Sequence, residues 1–173
     1  MKKLFVLLSF VFMLNSCDDG DITLESFNFS SQPILKCNDD TKPFLYKIND
    51  NELLLLNVSA EIYSVDTTAV TTFPYIHLYP INSTTSVAYR LYSDTVPSTF
   101  ICNSIAPATP VVTNEWNATG GTIEVTSIER FDTDGTTLIG YTHTIKLLNI
   151  NFSNINNSFS FEEYLFGNYQ TGL

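Results

Sequence analysis

Basic residues are scarce in this 173-residue chain: eight Lys and Arg stand against eighteen Asp and Glu, a formal charge of −10. Such a surface repels phosphate backbones and anionic lipid head groups, which excludes nucleic acid as a partner. Histidine is almost lacking too. His77 and His143 stand alone, without an HxH, HExxH or Cys/His companion, so the spacing that gathers imidazoles on a metal is missing. GxSxG, P-loop, Rossmann and SxxK patterns are missing as well, and no two acids are singled out as the carboxylate pair of a glycosidase. The expectation is a non-enzyme that needs no cofactor, with a hydrolase as the outlying alternative. Past the first residues, no apolar run approaches the roughly 18 residues a membrane-crossing helix requires. Helical periodicity is rare, and internal repeats are lacking.

What the chain does have begins at its start. Lys2 and Lys3 precede an apolar stretch over 4–14 broken only by Ser9. A core of about 11 residues has the length of a secretion signal and is too short to span a bilayer. The next residues, Leu14-Asn15-Ser16-Cys17, resemble the lipobox of bacterial lipoproteins, with Asn15 in a place usually held by a small residue. The resemblance implies cleavage before Cys17 and lipid on its sulfur, and several acyl chains give stable anchoring where one is marginal. Asp18, Asp19 and Asp21 follow at once. They resemble the acidic export tag of Bacteroidota surface lipoproteins, which implies an outer-membrane, lipid-anchored protein exposed at the cell surface. The alternative is a solvated acidic linker on a domain facing the periplasm. Tyr89-Arg90-Leu91-Tyr92-Ser93-Asp94, Cys102, Glu115-Trp116 and Tyr141-Thr142-His143-Thr144-Ile145 are similar to small flavobacterial lipoproteins of an uncharacterised family. That likeness names no activity.

The organisation implied is a signal peptide over 1–16, a lipidated cysteine and acidic tether over 17–26, and one domain over 27–173. Two lysines leave with the signal, so six basic residues face eighteen acids in the mature chain, a charge of −12. With Cys17 given to lipid, Cys37 and Cys102 are an even pair in an oxidising compartment, and a disulfide is the natural reading.

Apolar residues alternate in short runs rich in β-branched and aromatic types, separated by Asn, Asp, Gly, Pro and Ser. Strands are expected over 22–30, 44–48, 53–59, 70–73, 86–92, 111–116, 122–131, 138–152 and 159–166. The run Leu53-Leu54-Leu55-Leu56 suits a strand buried on both faces. Asp132-Thr133-Asp134-Gly135 marks a hairpin, since Gly accepts positive φ without steric cost. In the return strand, Tyr141, His143, Ile145 and Leu147 share one parity, while Leu148, Ile150 and Phe152 carry the other. Such a switch means a β-bulge or a strand bending between sheets. Pro97, Pro107 and Pro110 surround Cys102 in a segment expected to cross between sheets. The fold expected is all-β: a single antiparallel β-sandwich, Ig-like or jelly-roll-like, of about 8–9 strands.

Candidate sites are few. Asp132 and Asp134 open a calcium-loop-like motif, but the twelfth position, where that loop needs Glu, is His143. A plain turn accounts for every residue, so no metal is expected. Trp116, with Tyr75 and Tyr79, could offer rings for sugar stacking, against the alternative of core packing. Asp66-Thr67-Thr68 and Asp94-Thr95-Val96 resemble the O-glycosylation motif of Bacteroidota envelope proteins, which implies Thr67 and Thr95 as acceptors. The function expected is non-catalytic recognition or assembly, as an accessory subunit of an outer-membrane complex, with a glycan-binding module as the alternative.

Overall fold

A computed structural model describes residues 27–37, 44–58, 73–103, 105 and 107–173. Its strands are β1 (Leu35–Lys36), β2 (Phe44–Asn49), β3 (Glu52–Asn57), β4 (Tyr75–Pro80), β5 (Ser86–Tyr92), β6 (Val112–Phe131), β7 (Leu138–Ser153) and β8 (Ser158–Gly172). Every pairing is antiparallel. The all-β expectation holds, and no α-helix occurs among the described residues. All eight described strands belong to one hydrogen-bonded sheet curled into a half-barrel; an Ig-like or jelly-roll sandwich of two sheets is not what their pairing displays.

Strand order explains the shape. β7 runs along one edge of β6, and β4 and β5 lie end to end along the other. The chain is thus a meander in which each strand returns beside its predecessor, with β4 and β5 forming one interrupted strand. The interruption is a detour in which Asn82 Oδ1 accepts the N–H groups of Thr84 and Thr85. Ile81 N–H then reaches the Gly121 carbonyl at 3.0 Å.

Alternation along β3 supplies two cores. Leu54 and Leu56 face the inner cluster with Tyr89, Trp116, Ile123, Ile145, Phe152 and Phe166. Leu53 faces the outer cluster with Cys37, Tyr46, Tyr92 and Val96. The expected two-sided burial of this leucine run is therefore what the structure contains.

The parity switch in β7 is a bulge that bends the sheet. Thr122 pairs Leu148 and Gly120 pairs Asn151, so Asn149 and Ile150 oppose the single residue Gly121. Asn149 sits at φ 49° and Gly121 at φ 117°. A Cβ on Gly121 would lie 2.8 Å from Ile150 Cα and 2.9 Å from the Asn149 carbonyl oxygen, contacts that only backbone movement relieves. We expect Gly121→Ala to destabilise the protein by about 1–3 kcal/mol, read as a lower urea midpoint. An unchanged midpoint would contradict this bulge geometry.

The open side of the half-barrel is closed by the segment before β1. Phe27 packs its ring against Phe29, Tyr89, Phe152, Phe159, Phe161 and Tyr164 at centroid distances of 4.8–5.8 Å. Phe29 N–H donates to Tyr164 Oη on β8 at 3.2 Å, and its carbonyl accepts from Lys47 Nζ on β2 at 2.9 Å. Two distant flanks of the sheet are thus joined through one residue's backbone.

Candidate functional site

Between β5 and β6 the chain leaves the sheet and folds back over its outer face. The loop's neck is closed by Ser93 N–H to the Val111 carbonyl at 2.9 Å and by Val111 N–H to Ser93 Oγ at 3.1 Å. It therefore returns to the sheet it left, which corrects the expected crossing between two sheets. Three features fasten it. Cys102 is disulfide-bonded to Cys37, with Cα atoms 5.3 Å apart. Tyr46 Oη donates to the Ser98 carbonyl at 2.8 Å, and Phe100 meets Tyr92 edge to face at 5.6 Å.

Beneath this roof is a cavity of about 430 Å³, within the size range of small-molecule sites. Its floor is Leu55 and Tyr92, its roof includes Phe100, Pro107 and Pro110, and Val112 forms one wall. The charged group in the lining is Arg90. Arg90 sits directly across from Glu115 in the β5–β6 register, and its Nε donates to Glu115 Oε2. Asn117 Nδ2 donates to the other carboxylate oxygen at 3.0 Å. Burial works against the charge on Glu115, but the Asn117 amide and the Arg90 guanidinium outweigh it and hold the carboxyl below its ordinary pKa.

Glu115 also lines a second, polar hollow of about 420 Å³ with Thr113, Asn114, Asn117, Ser153 and the 154–156 turn. Asn154 Oδ1 accepts the N–H groups of Asn156 and Asn157 at 2.8 and 2.9 Å, which shapes that turn.

The residues singled out from sequence are dispersed. Trp116 is buried, stacks on Tyr89 at 5.3 Å and donates Nε1–H to Asn157 Oδ1. Its ring faces belong to the inner core, which corrects its reading as a surface stacking platform and bears out the packing alternative. Tyr75 meets Phe73 and Tyr141, and Tyr79 stacks on His77, so the three rings do not assemble into one surface. Cys17, Asp18, Asp19, Asp21 and Thr67 lie outside the described residues. Thr95 is exposed, and its hydroxyl donates to Asp50 Oδ1 at 2.6 Å.

Asp132 and Asp134 build the β6–β7 turn. Asp132 Oδ1 takes the Thr133 N–H, and Asp134 takes the Thr137 hydroxyl and the N–H groups of Thr136 and Thr137. The Thr137 hydroxyl, with those backbone donors, draws the Asp134 carboxyl down to about 2. Among the described residues no group of three or more His, Cys, Asp or Glu is placed to hold a metal ion.

One Ser–His contact was not anticipated. Ser127 Oγ lies 2.7 Å from His143 Nδ1, and His143 Nε2 lies 2.9 Å from Thr171 Oγ1. With Ser127 2% and His143 0% exposed, no substrate reaches that hydroxyl, and the contact joins β6, β7 and β8. Burial lowers the His143 pKa from 6.5, so below that pH the unfolded chain takes up a proton that the native state resists. Stability from this group is therefore complete above about pH 6.5 and declines as the pH falls below it. Urea midpoints measured from pH 7 down to about 5 should fall less steeply in His143→Gln than in the wild type. Parallel profiles would exclude this origin.

Arg90, Glu115 and the polar turn were not singled out from sequence. The available signal was an arginine alternating with Tyr92 in an otherwise apolar strand, facing an acid on the next strand. Compared with protein-family models, curated proteins and solved structures, the chain gives no match.

Proposed function

We propose that this chain is a lipid-anchored outer-membrane protein, displayed at the cell surface, whose half-barrel serves recognition and assembly and not catalysis. The observation that carries the reading is the roofed cavity on the outer face. A long loop is closed at its neck, tied by a disulfide and packed by Tyr46 and Phe100 over an apolar floor. The loop so fastened leaves about 430 Å³ of space against its sheet, a size that suits a preformed small-molecule site. The lipobox-like Leu14-Asn15-Ser16-Cys17 and the acids after it support the anchor and the address.

Affinity purification of the protein from detergent-solubilised outer membrane tests the assembly reading. A stoichiometric membrane partner is the expected result, and recovery of the lipoprotein alone would count against it. Protease shaving of intact cells tests display, since complete protection would place the domain facing the periplasm. A glycan-binding role is the second reading, favoured by the amide-lined hollow beside the cavity and no longer by Trp116.

A further inference from the structure

The apolar cavity and the polar hollow are neighbours. Val112 lines the first and Thr113 the second, one residue apart on β6. The Arg90–Glu115 pair stands at their boundary, with its cation in the cavity and its carboxylate in the hollow. We propose that the two compartments are one site for a neutral amphiphile, an alkyl or aryl glycoside, with its apolar part under the loop and its hydroxylated head among the asparagines. This rests on the recognition reading above and names the ligand class for the same cavity.

The chemistry of the boundary selects the head group. A free fatty acid would bring its carboxylate to Arg90, but Glu115 already holds that guanidinium and would repel a second anion. The chain's charge of −10 adds to the repulsion. A cationic head would be drawn to Glu115 only at the expense of the existing pair. Hydroxyl groups both donate and accept, and so do carboxamides, which makes Asn114 and Asn156 suitable partners for a sugar ring. The cavity is lined mainly by apolar side chains, Leu55, Val112, Pro107 and Pro110 among them, with Asn103 and Arg90 as its amide and charged groups. A ligand polar throughout would leave that surface wet, and one apolar throughout would leave the hollow unused.

The test is calorimetric titration of the purified protein with octyl β-D-glucoside below its micellar concentration, alongside octanoate and glucose. The glucoside should bind at least tenfold more tightly than either fragment. Val112→Trp, which fills the cavity, should abolish that binding. Asn114→Ala combined with Asn156→Ala should weaken the glucoside about tenfold, and circular dichroism and urea midpoints check that both variants stay folded. Equal affinity for octanoate and glucoside would overturn the inference and leave an apolar-chain pocket. Equal affinity for glucose and glucoside would overturn it in favour of a plain sugar site. If no probe binds but a membrane partner is still captured, this inference fails and the assembly reading stands. If partner capture fails as well, both fail.

Discussion

Replacing Cys37 and Cys102 together by Ser is expected to lower the free energy of unfolding by about 4 kcal/mol. The bridge spans 65 residues of sequence. In the chain-entropy account, releasing a loop of that length restores roughly that much freedom to the unfolded state. It encloses β2 to β5 and ends in the loop that roofs the cavity, so the loss should be felt twice, as a lower urea midpoint and as a loosened roof. Tyr46 would still donate to the Ser98 carbonyl, and Val96 would still be buried with Leu53 and Tyr92, so the sheet should survive and the loop should exchange its amide hydrogens faster. A double variant within about 1 kcal/mol of the wild type would show that the unfolded chain is already compact around this loop.

Phe29→Ala should destabilise the protein by about 3–5 kcal/mol, the range for truncating a fully buried phenylalanine. Phe29 is 0% exposed and contacts Phe27 and Tyr89 edge-on. Its side chain wedges the segment into the half-barrel, while its backbone bonds to Tyr164 and Lys47 hold the two flanks. Tyr164→Phe removes only the hydroxyl and should cost about 1–3 kcal/mol, the penalty of stranding one buried N–H. The ordering of the two variants in urea denaturation is the test. A Phe29→Ala cost at or below that of Tyr164→Phe would mean that the segment is held by its hydrogen bonds and not by the wedge.

Much of the sheet was legible because its signals are local. Segment 86–92, rich in Val and Tyr, is β5 to the residue, and the four leucines at 53–56 announce burial on both faces. The parity change after Leu147 correctly marked a bulge, since a period of two cannot change phase without an extra residue. Other elements were lost where local chemistry points away from the tertiary answer. Pro74 and Pro80 frame Tyr75–Pro80 and discourage a strand there, yet β4 pairs β6 on one side and ends at its proline. Gly120-Gly121 reads as a break between two strands, yet it lets β6 run continuously past a bulge on β7. One bent sheet and two stacked sheets give the same alternation along each strand, so hydrogen-bond partners alone distinguish them. The site was harder to read because its parts are far apart in sequence. Arg90 and Glu115 meet only through register, and the polar turn over 154–156 joins them from the next hairpin.

The wedge of Phe27 and Phe29 also sets a leash. Only nine residues lie between Cys17 and Phe27, so the ten steps from one to the other reach at most about 35 Å even if fully extended. A domain of this size is itself about 40 Å across. On the proposed reading, with lipid on Cys17, the half-barrel would ride within about one diameter of the bilayer, and a partner would have to come to the membrane to meet it. The leash ends inside the inner core, not on a loose surface strand. In the proposed anchored protein, a pull from Cys17 would be borne first by the ring of Phe27 and by the two side chains that grip the backbone of Phe29.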